Sequence, residues 1–199
     1  MNPYREKLGP NSFAARMILG LIPTSAILYA WVTPLIVSAL EQPPSTSAQA
    51  AGYVFSANLY GTAVGGFLAI GLVKRFRWQP TCRFLLCAVI LADSISIWMI
   101  DAAWLSVMRF LHGVAGGLLM GFAASVIART DNPERTISMA FVLQTFLGGA
   151  ILFGVSSLMA SYGALPIWIC LIIVSTVCVL LIPFLDAYPI DEGATNHGK

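Results

Sequence analysis

The sequence predicts an all-α membrane protein with six transmembrane helices, arranged as two inverted three-helix repeats. Three observations lead there. Of 199 residues, 58% are hydrophobic and only 10% are charged, against roughly 25% charged in ordinary soluble domains. So little charge could not keep a soluble fold of this size in solution. Six apolar stretches have the length of a spanning helix, roughly 20 residues for about 30 Å of hydrocarbon. Lysine and arginine are also sorted to alternate connections, as in oriented membrane helices. The net charge of +2 is small. No basic run interleaved with aromatics points to nucleic acid.

In order, the spans read Phe13–Leu40, Ala50–Val73, Thr81–Ile100, Ala103–Ala128, Ile137–Ser161 and Leu165–Leu185. Residues 1–12 form an N-terminal segment and residues 186–199 a polar tail. The first span exceeds the need, so it tilts or its ends reach the headgroups. It is also too long for the apolar core of a signal peptide, and no convincing small-residue cleavage site follows, so it reads as a retained helix. Neither end carries a lipidation motif. No stretch alternates at period two, which argues against a β-barrel. Breakers fill the gaps: Gln42-Pro43-Pro44-Ser45, Gln79-Pro80, Asn132-Pro133 and Tyr162-Gly163.

Orientation follows from the cations. Arg5, Lys7 and Arg16 precede or open the first span. Lys74, Arg75, Arg77 and Arg83 cluster around the second connection, Arg129 and Arg135 around the fourth, and Lys199 lies in the tail. The odd connections hold only Glu41 and Asp101. Every lysine and arginine except Arg109 thus falls on one side, which places both termini in the cytoplasm, with the plasma (inner) membrane as the expected location.

The two triplets resemble each other in layout. The second helix of each is glycine-rich, with Gly61, Gly65, Gly66 and Gly71 in one and Gly148, Gly149 and Gly154 in the other. The third helix of each lacks glycine and holds two cysteines, Cys82 and Cys87 or Cys170 and Cys178. An odd number of spans per repeat forces opposite topology, the arrangement of many transporters. Small residues let helices approach closely, so helices two, four and five are expected to pack against protein and helices three and six to face lipid. Helix four has the densest stripe, Gly113, Gly117 and Gly121 with Gly116. The cysteines match no zinc spacing and read as small apolar residues.

Ionisable residues inside a membrane are costly and are functional candidates by default. Three are embedded: Asp93, Arg109 and His112. Arg109 and His112, three apart, share a helix face. Asp93 lies eight residues before Asp101 and Arg109 eight after it, so at about 1.5 Å per residue both sit about 12 Å below the connecting turn. They can meet, either as a structural ion pair or with Arg109 turned to bind an anionic solute. His112 is a candidate for proton coupling or an interhelical hydrogen bond. Asn58, Gln144 and Tyr29 are further candidates for a pathway or for packing, as is Trp31. Trp78, Trp98, Trp104 and Trp168 fit an interfacial belt. An intramembrane enzyme is a poor fit, since a serine protease would have His112 as its sole base and an aspartyl protease would need a second embedded acid. No metal cluster, nucleotide loop or other cofactor is expected.

The chain resembles the N-terminal six-helix half of the major facilitator superfamily. Arg109-Phe110-Leu111-His112-Gly113-Val114-Ala115-Gly116-Gly117, continuing to Arg129-Thr130-Asp131-Asn132-Pro133-Glu134-Arg135, looks like the fourth-helix motif and its charged loop. Gly71-Leu72-Val73-Lys74-Arg75-Phe76-Arg77-Trp78-Gln79 stands where the family has its basic loop motif, with Lys74 in place of the usual acid and Arg77 in place of a glycine. Gly148, Gly149 and Gly154 resemble the fifth-helix motif without its Gly-Pro pair, and Pro34 suits the first helix. The resemblance implies half of that fold, Arg109 lining a central cavity, and alternating-access transport of a small solute, commonly driven by a proton or substrate gradient. It implies a partner, either a second copy or a second six-helix half, because the usual transporter has two halves. The alternatives are a truncated product and a non-catalytic membrane subunit or remnant assembled with another membrane protein.

Overall fold

The computed structural model describes residues 7–40, 47–99 and 101–188. Arg5, Glu41, the Pro43-Pro44 pair, Ile100 and residues 189–199 lie outside them. Six helices follow in order: α1 (Phe13–Leu40), α2 (Ala48–Leu72), α3 (Trp78–Ser96), α4 (Ala102–Ile127), α5 (Pro133–Tyr162) and α6 (Leu165–Leu181). A short 3₁₀ turn, Ile182–Phe184, ends the last of them. There is no strand among the described residues. Among the described residues, five helices are long and apolar enough to cross a membrane; α3, which carries Gln79, Arg83 and Asp93, is not one of them.

The helix ends have local causes. The Ser47 side chain accepts the Ala50 amide at the start of α2. Asp101 Oδ1 accepts the amides of Ala103 and Trp104, each at 3.0 Å, and so caps α4. Pro133 occupies the first turn of α5, where its missing N–H costs nothing. Gly163, at φ 57°, closes α5 in a conformation that favours glycine. Within the spans, hydroxyls turn back onto their own helix. Thr33 donates to Tyr29 O, Thr62 to Asn58 O and Ser106 to Ala102 O, so apolar surroundings leave these groups satisfied.

The centre of the bundle is α1 and α4, each buried over more than half of its apolar span, whereas α2 and α5 are buried over less than a third of theirs. α2 lies along α4 with backbones touching. A Cβ on Gly61 would strike the Phe110 carbonyl oxygen, one on Gly65 that of Val114, one on Gly113 that of Asn58, and one on Gly117 that of Thr62. One on Gly121 would strike the Ala69 Cβ. Only glycine permits so close an approach. α1 and α5 meet through side chains as well: Gly20 faces the Ala140 backbone, Thr24 Oγ1 donates to the carbonyls of Gly20 (2.8 Å) and Ala140 (3.3 Å), and Gly148 lies under Trp31.

The packing departs from two expectations. α3 and α6 pack on each other and on α4 and α1, burying Cys82, Leu86, Val89, Leu171 and Cys178. Their bulky residues are therefore not all turned outward. α5, expected to be packed, leaves Phe141, Phe146 and Phe153 exposed, and Gly149 meets nothing within 4 Å. Glycine content alone did not sort faces, because one side of a helix packs while the other does not. Of the four tryptophans expected at an interface, Trp98 and Trp104 are exposed, but Trp78 and Trp168 are buried.

Candidate functional site

Arg109 is fully enclosed between α1, α3, α4 and α6. Its Nη1 donates to Asp93 Oδ1 at 2.8 Å, and Nη2 donates to the Ala92 carbonyl at 2.8 Å and to the Ser96 hydroxyl. The guanidinium carbon lies 5.2 Å from the centre of the Tyr29 ring and 4.9 Å from that of Trp168, within cation–π range. Asp93 is equally enclosed. The two charges, equally distant from Asp101 along the chain, therefore meet.

His112 lies beside this pair. Its Nε2 is 3.5 Å from Asp93 Oδ1, and its Nδ1 is 2.9 Å from Asn58 Nδ2. The same Asn58 nitrogen donates to the Arg109 carbonyl at 3.1 Å. That carbonyl can only accept, so it fixes the orientation of the Asn58 amide. The amide nitrogen then meets Nδ1 as a donor, which makes Nδ1 an acceptor and leaves the imidazole proton on Nε2, directed toward Asp93. The Tyr29 ring closes the group from α1, 5.5 Å from that of His112. Two buried polar atoms of this group have no hydrogen-bond partner among the described residues, Arg109 Nε and Asp93 Oδ2.

The structure thus brings together Asn58, Asp93, Arg109, His112 and Tyr29. Gln144, although buried on α5, takes no part in these bonds. Arg109 does not line an open cavity as the resemblance implied; aromatic rings and α3 enclose it. Ser96 and Trp168 are members that the sequence did not indicate. Ser96 stands three residues after Asp93, on the same face of α3, so a search around each embedded charge would have found it. Trp168 reaches Arg109 from α6 through no local pattern.

A second polar group gathers where the cations lie. Residues 182–188 cross the end of the bundle as a strap. Trp78 Nε1 donates to Ala187 O at 2.6 Å, Gln79 Nε2 to Leu185 O at 3.0 Å, and Arg129 Nη1 to Tyr188 O at 2.7 Å. The Leu8 amide donates to Phe184 O at 2.9 Å, and the Tyr188 hydroxyl to Pro10 O at 2.6 Å. Tyr188 adopts φ 44°, unusual for a side-chain-bearing residue. Burial, with Asp186 nearby, pushes its phenol up to about 12, against the opposing effect of Arg16. Partial burial also lowers the Arg129 pKa. Lys74, Arg75 and Arg77 are exposed beside this strap.

Residues 28–197 match the model of a family described as "Uncharacterised MFS-type transporter YbfB". The match covers most of the chain, which therefore belongs to this family of the major facilitator superfamily and is an integral, multi-pass membrane protein. Neither a curated protein nor a solved structure matches it.

Proposed function

We propose that the chain forms one six-helix half of an alternating-access transporter for a small solute, working against a second such unit supplied by another copy or another chain. The family match over residues 28–197 carries this reading. α3 serves as the sixth crossing; its 19 residues span about 28 Å at 1.5 Å each. The main packing partners support the inverted repeat. Exchanging α1 with α4, α2 with α5 and α3 with α6 turns the α2–α4 contact into α5–α1 and the α3–α4 contact into α6–α1. The exposed apolar faces of α2 and α5, with Phe67 and Phe153 at their crests, suit the moving interface. The cation distribution supports cytoplasmic termini.

Within this half, Asp93, Arg109, His112 and Asn58 form the coupling element. The free Oδ2 of Asp93 supplies an acceptor for a proton, and opening of the pair frees Arg109 for an anionic or polar solute. Full enclosure of Arg109 favours a second reading, a non-transporting membrane subunit in which the pair is structural. One experiment separates them. Proteoliposomes of the tagged chain are assayed with a panel of small polar and anionic solutes and an internal pH dye, alongside Arg109→Lys and Arg109→Ala. Uptake of at least one solute, lost in the alanine variant, is expected. Full uptake in that variant removes Arg109 from the mechanism. No uptake of any solute, with cross-linking that yields only single chains, overturns transport.

A further inference from the structure

We propose that the basic end of the bundle holds a binding site for one anionic glycerophospholipid. Two adjoining concavities form it. One, of about 280 Å³, lies between the α2–α3 connection and the strap, lined by Lys74, Arg75, Arg77, Trp78 and Arg129. The other, of about 620 Å³, is an apolar groove among α2, α3 and α4, floored by the buried Leu85 and Phe122 and walled by Leu72, Phe84 and Leu118. Arg75, Phe76 and Arg77 line both, so a cationic rim passes directly into an apolar trough.

The charges at this rim are unspent. Arg129 commits its donors to Ser125 and the Tyr188 carbonyl. By contrast, Lys74, Arg75 and Arg77 make no ion pair with any described residue. Among the described residues, no carboxylate lines either concavity. Guanidinium groups are well suited to a phosphate, which they can hold through two parallel hydrogen bonds. A soluble anion would answer the rim and leave the groove bare. An apolar helix would fill the groove and leave three cations unmatched. A lipid with a phosphate head and an acyl chain answers both, in the manner of basic pockets that hold acidic headgroups at a membrane face.

This inference rests on the membrane placement, which alkaline carbonate extraction tests separately. The experiment is native mass spectrometry of the whole chain in mild detergent, titrated with phosphatidylglycerol and phosphatidylcholine of identical acyl chains. Phosphatidylglycerol is expected to bind roughly thirtyfold more tightly. Arg75→Gln with Arg77→Gln should remove most of that preference without lowering the unfolding temperature. Thr81→Trp, placed in the groove, should weaken both lipids alike. Equal binding of the two lipids, or an unchanged preference in the double variant, overturns the proposal. So does competition by glycerol 3-phosphate at the same concentration as the lipid, which assigns the rim to a soluble anion. Cross-linking of Thr81→Cys to a second protein chain, with no labelling of this site by photoactivatable phosphatidylglycerol, assigns the groove to a protein and also overturns it.

Discussion

One arginine lies within α4 and another just past its end, and the contrast explains what each setting demands. Arg109, inside the bundle, has a carboxylate at 2.8 Å, a carbonyl, a hydroxyl and two aromatic rings. Arg129, just past the end of the same helix, has only neutral acceptors among the described residues: the carbonyls of Ser125 and Tyr188 and the Ser125 hydroxyl. Its position also suits the negative end of the helix dipole. Water reaches Arg129, which is only partly buried, so no formal counter-charge is needed. At Arg109 none arrives from solvent, and the protein must supply it.

The largest effect should come from breaking the enclosed pair on one side. Asp93→Ala leaves Arg109 buried without its counter-charge and should cost about 3–5 kcal/mol, read as a fall in denaturation temperature in detergent. Gly113→Ala tests how far the glycine seam supports the same group. Its new Cβ would meet the Asn58 carbonyl and push α2 away from His112, at about 1–3 kcal/mol. Gly66→Ala, where nothing lies within 4 Å, is the matched control and should change stability by less than about 0.5 kcal/mol. A loss as large in the control would mean that helix flexibility, not contact, matters at this seam.

Arg129→Gln should cost about 1 kcal/mol, the scale of one or two hydrogen bonds; a loss equal to that of Asp93→Ala would erase the distinction between the two arginines. Replacing both members of the buried pair, Asp93→Leu with Arg109→Met, should be close to neutral for stability while abolishing any solute uptake. Retained uptake in that double variant would make the pair purely structural. The smallest signal is a titration. Because the folded state favours the neutral phenol of Tyr188, its contribution is complete below pH 10 and fades as pH rises toward about 12. The difference in phenolate absorbance between the wild type and Tyr188→Phe should therefore appear near pH 12, and a midpoint near 10 would show that the strap does not hold the ring.

Much of this was readable from order and spacing. Span length and cation alternation locate the helices to within a few residues, with α5 starting four residues earlier than expected because Pro133 is a good first-turn residue. Equal distances from Asp101 brought Asp93 and Arg109 to one level, since a tight turn converts sequence distance into depth. Contacts between distant helices leave no such trace. Nothing in the period of α6 marks Trp168 as the partner of an arginine 59 residues away. Likewise, the place of Trp78 near a span end suggests an interfacial anchor, whereas its indole donates to Ala187, 109 residues later.

The closeness of Asp93 and Arg109 along the chain, 16 residues apart, bears on how the protein is made. A lone arginine at the centre of a helix costs roughly 2.5–3.5 kcal/mol on insertion. Here the counter-charge belongs to the preceding helix, across a turn capped by Asp101. With α3 as a crossing, as proposed above, α3 and α4 would enter the membrane as one hairpin whose two charges already pair.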